Sequence, residues 1–131
     1  MEGCNPAYSF HWVGKSKRLY VFEAPIDLLS YISMHPEGWH GQNYVALCGV
    51  AGHAMVKQLE LHPQIDEVYL CMDNDKAGHS AAERLTARLD ELGGYSVYRL
   101  CPQLKDWNDD LKEEAKQQET YAQEGGMSLA L

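Results

Sequence analysis

The chain has 131 residues, 45% of them hydrophobic and 23% charged, with a formal net charge of −8. That is one domain's length and an ordinary globular composition, with no apolar run near the roughly 20 residues of a membrane span and no basic-then-apolar leader at Met1-Glu2-Gly3-Cys4-Asn5-Pro6. The acidity argues against a free-standing nucleic-acid binder, since such proteins usually grip phosphates through a basic face. It leaves two routes to phosphates: acids that hold metal ions, or a basic groove supplied by neighbouring domains.

Taken in order, residues 1–18 form a lead-in whose Tyr8–Val13 stretch reads as a short extra strand, followed by the basic turn Gly14-Lys15-Ser16-Lys17-Arg18. The turn reads first as a solvated hairpin tip and second as a phosphate contact. The abrupt start reads as a piece of a longer protein. Leu19-Tyr20-Val21-Phe22 is a continuous apolar strand closed by Glu23. Pro25 falls in the first turn of a helix, where its missing N–H costs little, and Ile26, Leu28, Leu29 and Ile32 carry the helical face towards His35. Asp27 lies one turn after Glu23, at the same end. A lone carboxylate at a buried strand's end is expensive, so Glu23 either reaches solvent or does chemistry.

Residues 36–42 read as a loop, and Asn43 to Cys48 as a second strand. Gly49-Val50-Ala51-Gly52 follows, then a helix from about His53 to Leu61. Small residues there allow the close backbone approach of phosphate-binding turns, though the turn is neither a Walker loop nor Gly-x-Gly-x-x-Gly. Asp66 to Met72 is a third strand that ends in Asp73-Asn74-Asp75. A helix runs from about Ala77 to Leu92 and stops at Gly93-Gly94. Tyr95 to Leu100 is a fourth strand. The loop through Lys105-Asp106-Trp107-Asn108-Asp109 leads into a polar helix from about Trp107 to Tyr121, with a flexible tail over 122–131. The cysteines Cys4, Cys48, Cys71 and Cys101 lack Cys-x-x-Cys spacing, which speaks against a zinc ribbon and for a reducing, cytoplasmic setting.

Strand and helix alternate four times. The pattern predicts an α/β fold: a mostly parallel four-stranded sheet with helices on both faces. All strand C-terminal ends then share one edge, where such sheets bind ligands. Glu23, Asp73 and Asp75 meet there, and the loop carrying Asp106 and Asp109 opens from it. Asp75 and Asp73 also suit a helix N-terminus as cap and dipole partner. Their convergence with Glu23 favours a cation, and all-oxygen donors suit Mg²⁺ or Mn²⁺.

This ordered set resembles the Toprim domain over about Leu19 to Leu111, nearest the bacterial primase branch. Val21-Phe22-Glu23-Ala24-Pro25-Ile26-Asp27 is similar to that branch's hydrophobic-Glu-Gly-x-x-Asp segment, and Leu47–Gly52 to its Leu-Gly-Thr-Ala turn. Asp73-Asn74-Asp75-Lys76-Ala77-Gly78 is similar to Asp-x-Asp-x-Ala-Gly, and Lys105–Asp109 to Lys-Asp-Pro-Asp-Asp. Three positions depart from it: Ala24 for Gly, Trp107 for Pro and Asn108 for Asp. Segments of this kind also occur in replication or mobilisation proteins of bacterial mobile elements.

The resemblance implies a three-layer Rossmann-like Toprim fold with the domain at 19–121. It implies Mg²⁺-dependent synthesis of RNA primers on single-stranded DNA, with nucleotides and the parent protein's other domains as partners and no membrane. Asp73, Asp75, Asp106 and Asp109 would hold metal, Glu23 would be a ligand or general acid/base, and Asp27 a supporting acid or second-metal ligand. Gly49, Gly52 and Lys76 would approach phosphate. The rivals are Mg²⁺-dependent strand cleavage, as in Toprim nucleases and topoisomerases, and a non-catalytic Toprim scaffold.

Overall fold

The computed structural model describes residues 10–47 and 52–129, with side chains as far as 120. Its elements are β1 (His11–Trp12), β2 (Arg18–Phe22), α1 (Pro25–Met34), β3 (Asn43–Ala46), α2 (His53–Leu61), β4 (Glu67–Leu70), α3 (Lys76–Leu92), β5 (Ser96–Arg99) and α4 (Trp107–Leu129). A 3-10 turn, Trp39–Gly41, occupies the expected loop before β3.

The sheet order is β1-β3-β2-β4-β5. The four expected strands pair in parallel, β2 lying between β3 and β4 with β5 outside β4. The sheet is nonetheless five-stranded and mixed, which corrects the four-stranded expectation. β1 adds to β3 antiparallel, His11 opposite Val45 and Trp12 opposite Tyr44. Two residues of strand hold because Trp12 packs on Trp39 at 4.9 Å and its indole N–H donates to the His40 carbonyl at 3.1 Å.

Side chains alternate across the strands and build two cores. Leu19, Val21, Val45, Val68 and Leu70 pack against Ala54, Met55 and Leu59 of α2 and Ala81, Leu85 and Leu89 of α3. On the other face, Tyr20, Phe22, Tyr44, Ala46 and Cys71 pack against Leu28 of α1 and Trp107 of α4. The layers are therefore α1 and α4, the sheet, then α2 and α3. Four tyrosines in register, Tyr44, Tyr20, Tyr69 and Tyr98, cross the α1 face as a ladder with ring centroids 5.4, 5.0 and 4.8 Å apart. The spacing follows from the strand separation itself.

β2 feeds a helix on one face, and its neighbour β4 feeds a helix on the other. The sheet's topological switch point thus falls between their C-terminal ends, where a crevice opens. The basic turn lies at the opposite edge. Asn43, 1% exposed, ties it down by donating to the carbonyls of Ser16 at 3.0 Å and Arg18 at 2.8 Å while accepting from Gly14 N–H at 3.0 Å. The length of β2 separates this turn from Glu23.

One boundary differs from the sequence reading. α4 continues past Tyr121 to Leu129, so the expected tail is helical over 122–129. Ala122, Gln123 and Glu124 extend the helix-favouring composition of the preceding turns. Among the described residues Cys71 is a buried free thiol and Cys101 an exposed one.

Candidate metal centre

Two acids meet in the crevice. Glu23 follows β2 and Asp73 follows β4, and the Glu23 carboxylate (Oε1) accepts from the Asp73 backbone N–H at 3.4 Å. Asp73 Oδ1 is buried with no hydrogen-bond partner. Burial, then the charges of Glu23 and Asp27, push the Asp73 carboxyl up to about 7. Such an oxygen is costly to leave unmet, and a proton or a cation is what would satisfy it.

Asp27 sits in the first turn of α1, 5% exposed, its Oδ1 accepting from Asn108 N–H at 3.4 Å. Burial and the nearby Asp106 raise it to about 6, with Glu23 and Asp109 adding to the push. The fields of Glu23, Asp27, Asp73 and Asp106 thus overlap, and Asp109 reaches Asp27. Of the three acids expected to meet here, the structure brings Glu23 and Asp73 into contact, while Asp75 turns to the N-terminus of α3.

Other candidates are engaged with backbone. Asp75 caps α3: its Oδ1 accepts from Gly78 N–H at 2.7 Å. Asp106 caps α4 likewise, accepting from Asp109 N–H at 2.8 Å. One carboxylate oxygen of each is spent in this way. Among the described residues no three His, Cys, Asp or Glu side chains stand together as a ready set of metal ligands. Mg²⁺ is commonly bound through one or two carboxylates, with waters and substrate phosphates completing its shell. The all-oxygen donors and the unmet Asp73 oxygen fit such an ion.

Lys76 is exposed in the first turn of α3. Gly52 takes a left-handed φ of 74° before α2, and a Cβ on it would lie 2.7 Å from the Leu85 side chain. Chain direction and packing against α3 therefore account for this glycine. Gly49 lies outside the described residues.

Several residues fix the site through contacts that no motif spells out. Gly78 rests on the Asp73 backbone so closely that a Cβ would fall 2.0 Å from the Asp73 carbonyl oxygen. The Trp107 indole N–H donates to the Cys71 carbonyl at 2.9 Å, fastening α4 beneath the end of β4. Asn74 joins the two loops, its N–H donating to Lys105 O at 2.7 Å and its side-chain amide to Pro102 O at 3.1 Å. Asp110 holds the β5–α4 loop by accepting from Gln103 and Leu104 N–H, both at 2.8 Å. Asn108, where the primase pattern has Asp, clasps α4 to α1: its amide oxygen lies 3.3 Å from the Ser30 hydroxyl. Gly78, Asn74, Trp107 and Asn108 stand in the motif segments of the sequence, but their contacts could not be read there.

A family model described as Toprim-like matches residues 20–111. An uncharacterized protein of Bacillus anthracis is 31% identical over 136 residues, covering 87% of this chain and 40% of the relative. An uncharacterized protein of Mycoplasma genitalium is 28% identical over 96 residues, covering 72% and 42%. The chain thus spans about two fifths of the length of these curated relatives. Among solved structures, the primase fragment of the bacteriophage T7 primase-helicase protein superposes with a TM-score of 0.62 at 24% identity, covering 79% of this chain and 41% of that one. At that identity the likeness is one of fold.

Proposed function

The chain belongs to the Toprim-like family, and from that premise we propose that it is the Toprim domain of a primase-like protein, acting in Mg²⁺-dependent nucleotidyl transfer on single-stranded DNA. The observation that carries the reading is the meeting of Glu23 and Asp73 across the switch point, with a buried Asp73 oxygen lacking any partner. Its wider support is the field of acids around that pair, and the fold shared with a primase fragment.

In this reading Asp73 and Asp75 hold Mg²⁺ or Mn²⁺, with Asp106 and Asp109 on the far wall of the crevice. When bound, the ion supplies neutralisation of the charge that develops on a reacting phosphate. Glu23 gives or takes a proton, which suits a carboxylate held among other acids. Asp27 keeps the crevice negative. The crevice then selects a phosphate only when a cation bridges them, which is how a chain of net charge −8 works on nucleic acid. Further domains of a longer protein supply the basic groove for the strand.

The test is a pair of Mg²⁺ assays on single-stranded DNA, run on this chain and on the longer Bacillus anthracis relative. One follows incorporation of labelled ribonucleotides into short RNA; the other follows nicking of the strand. The expected result is RNA synthesis by the longer protein, weak or no activity in this chain alone, and at least a hundredfold loss (about 2.7 kcal/mol) when the aspartate matching Asp73 becomes Ala. Nicking without synthesis would replace polymerisation by cleavage, and neither activity in the longer protein would point to a scaffold.

A further inference from the structure

We infer that Arg99 is a positioning residue for the Asp73 site: its guanidinium clamps the backbone of the Asp73 turn so that the carboxylate is presented to Glu23. The inference rests on the metal reading above.

Arg99 ends β5, opposite Leu70 in the register. Beyond Leu70 the β4 backbone leaves its ladder with β5, and its carbonyls need other donors. The Trp107 indole serves Cys71 O, and one guanidinium serves Met72 O and Asp73 O. Arg99 Nη1 donates to Met72 O at 2.8 Å and Leu100 O at 2.7 Å, with Leu70 O, which also accepts from Leu100 N–H, a longer shared contact at 3.2 Å; Nη2 donates to Asp73 O at 2.9 Å while lying 3.4 Å from His79 Nδ1. Four carbonyls from two chain segments thus converge on one cation. Charge-assisted bonds of this kind are short and strong, and the planar fork of donors fixes direction as a lysine ammonium does not.

The same peptide is braced on its other sides. Gly78 of α3 occupies the space against Asp73 O, and Asn74 N–H is bonded to Lys105 O. The Asp73 backbone is therefore held by Arg99, by α3 and by the β5–α4 loop, and its N–H points at Glu23. The guanidinium spends its donors on carbonyls, so it organises the acid rather than neutralising it.

That distinction sets the sign of the test. If Arg99 acted only as a nearby positive charge, removing it would strengthen cation binding. If it positions Asp73, removing it weakens binding. Mn²⁺ titration is run on the parent chain, Arg99→Gln, Arg99→Lys, and Arg88→Gln. The last removes a charge from an exposed i,i+3 pair with Glu91. Backbone amide exchange at Asn74 and Asp75 is measured in parallel without metal. The expected result is at least a tenfold loss of Mn²⁺ affinity in Arg99→Gln, a smaller loss in Arg99→Lys, no loss in Arg88→Gln, and faster exchange at Asn74 in both Arg99 variants. Unchanged or tighter Mn²⁺ binding in Arg99→Gln overturns the inference; if that variant does not fold, the same outcome in Arg99→Lys does so. If the parent itself binds no Mn²⁺, the metal reading fails separately. Amide exchange then decides the positioning role, and rates equal to the parent's overturn it.

Discussion

Asp73 is held in a place that disfavours its own charge. Burial and the charges of Glu23 and Asp27 raise it to about 7, and burial with Asp106 raises Asp27 to about 6. Both lie above the ordinary value of 3.8, so the folded chain binds protons at a pH where the unfolded chain has released them. Stability then falls as pH rises through roughly 4 to 7, because the native state holds the extra protons. Without metal, the thermal midpoint is expected to be higher at pH 5.5 than at pH 8, and saturating Mg²⁺ should flatten that difference by stabilising the chain most at pH 8. A midpoint in chelator that rises with pH across this window would contradict the electrostatic account. Asp73→Asn removes the disfavoured charge without changing shape. It should raise metal-free stability at pH 8 by about 1 kcal/mol after solvent screening while losing Mn²⁺ affinity, as urea denaturation and metal titration would read. A variant destabilised in chelator would show that the Asp73 charge supports the fold.

The elements were legible where local chemistry decides them. Pro25, the small residues before α2, Asp75 and the Gly93-Gly94 pair mark helix ends in the sequence, and the apolar runs mark the parallel strands. Alternation of strand and helix was enough to bring Glu23 and Asp73 to one edge. The missed features depend on contacts between distant residues. The tyrosine ladder exists because four strands share a register, and Asn108 meets Ser30 of α1, 78 residues away in sequence. Asp75 satisfies two readings at once, as a helix cap and as an acid at the sheet edge, and spacing alone could not divide its oxygens between them. Gly78 shows how tightly α3 sits on the site. Alanine is the better helix former by about 1 kcal/mol. Even so, Gly78→Ala should cost about 1–3 kcal/mol, because its Cβ would displace the Asp73 carbonyl. Equilibrium urea unfolding would measure this, and a neutral or stabilising effect would mean that the turn and helix are not in the contact described.

At the scale of the whole molecule, acids gather at one edge of the sheet, where Arg99 is spent on backbone carbonyls, while the other edge pairs Arg18 with Glu67 at 3.4 Å. The switch-point edge gathers Glu23, Asp27, Asp73, Asp75, Asp106 and Asp109, while the basic turn Lys15–Arg18 lies at the other. Among the described residues no helix is long and apolar enough to cross a membrane. The proposed function depends on this acidic crevice taking up a cation before the chain engages nucleic acid. The direct test is a calorimetric or NMR titration of Mn²⁺ and Mg²⁺ into this chain and into its Asp73→Ala, Asp75→Ala double variant, with both shown to be folded. The account predicts saturable binding in the chain that is lost in the variant. Equal binding in the two would contradict it, as would a folded parent chain that takes up no divalent ion.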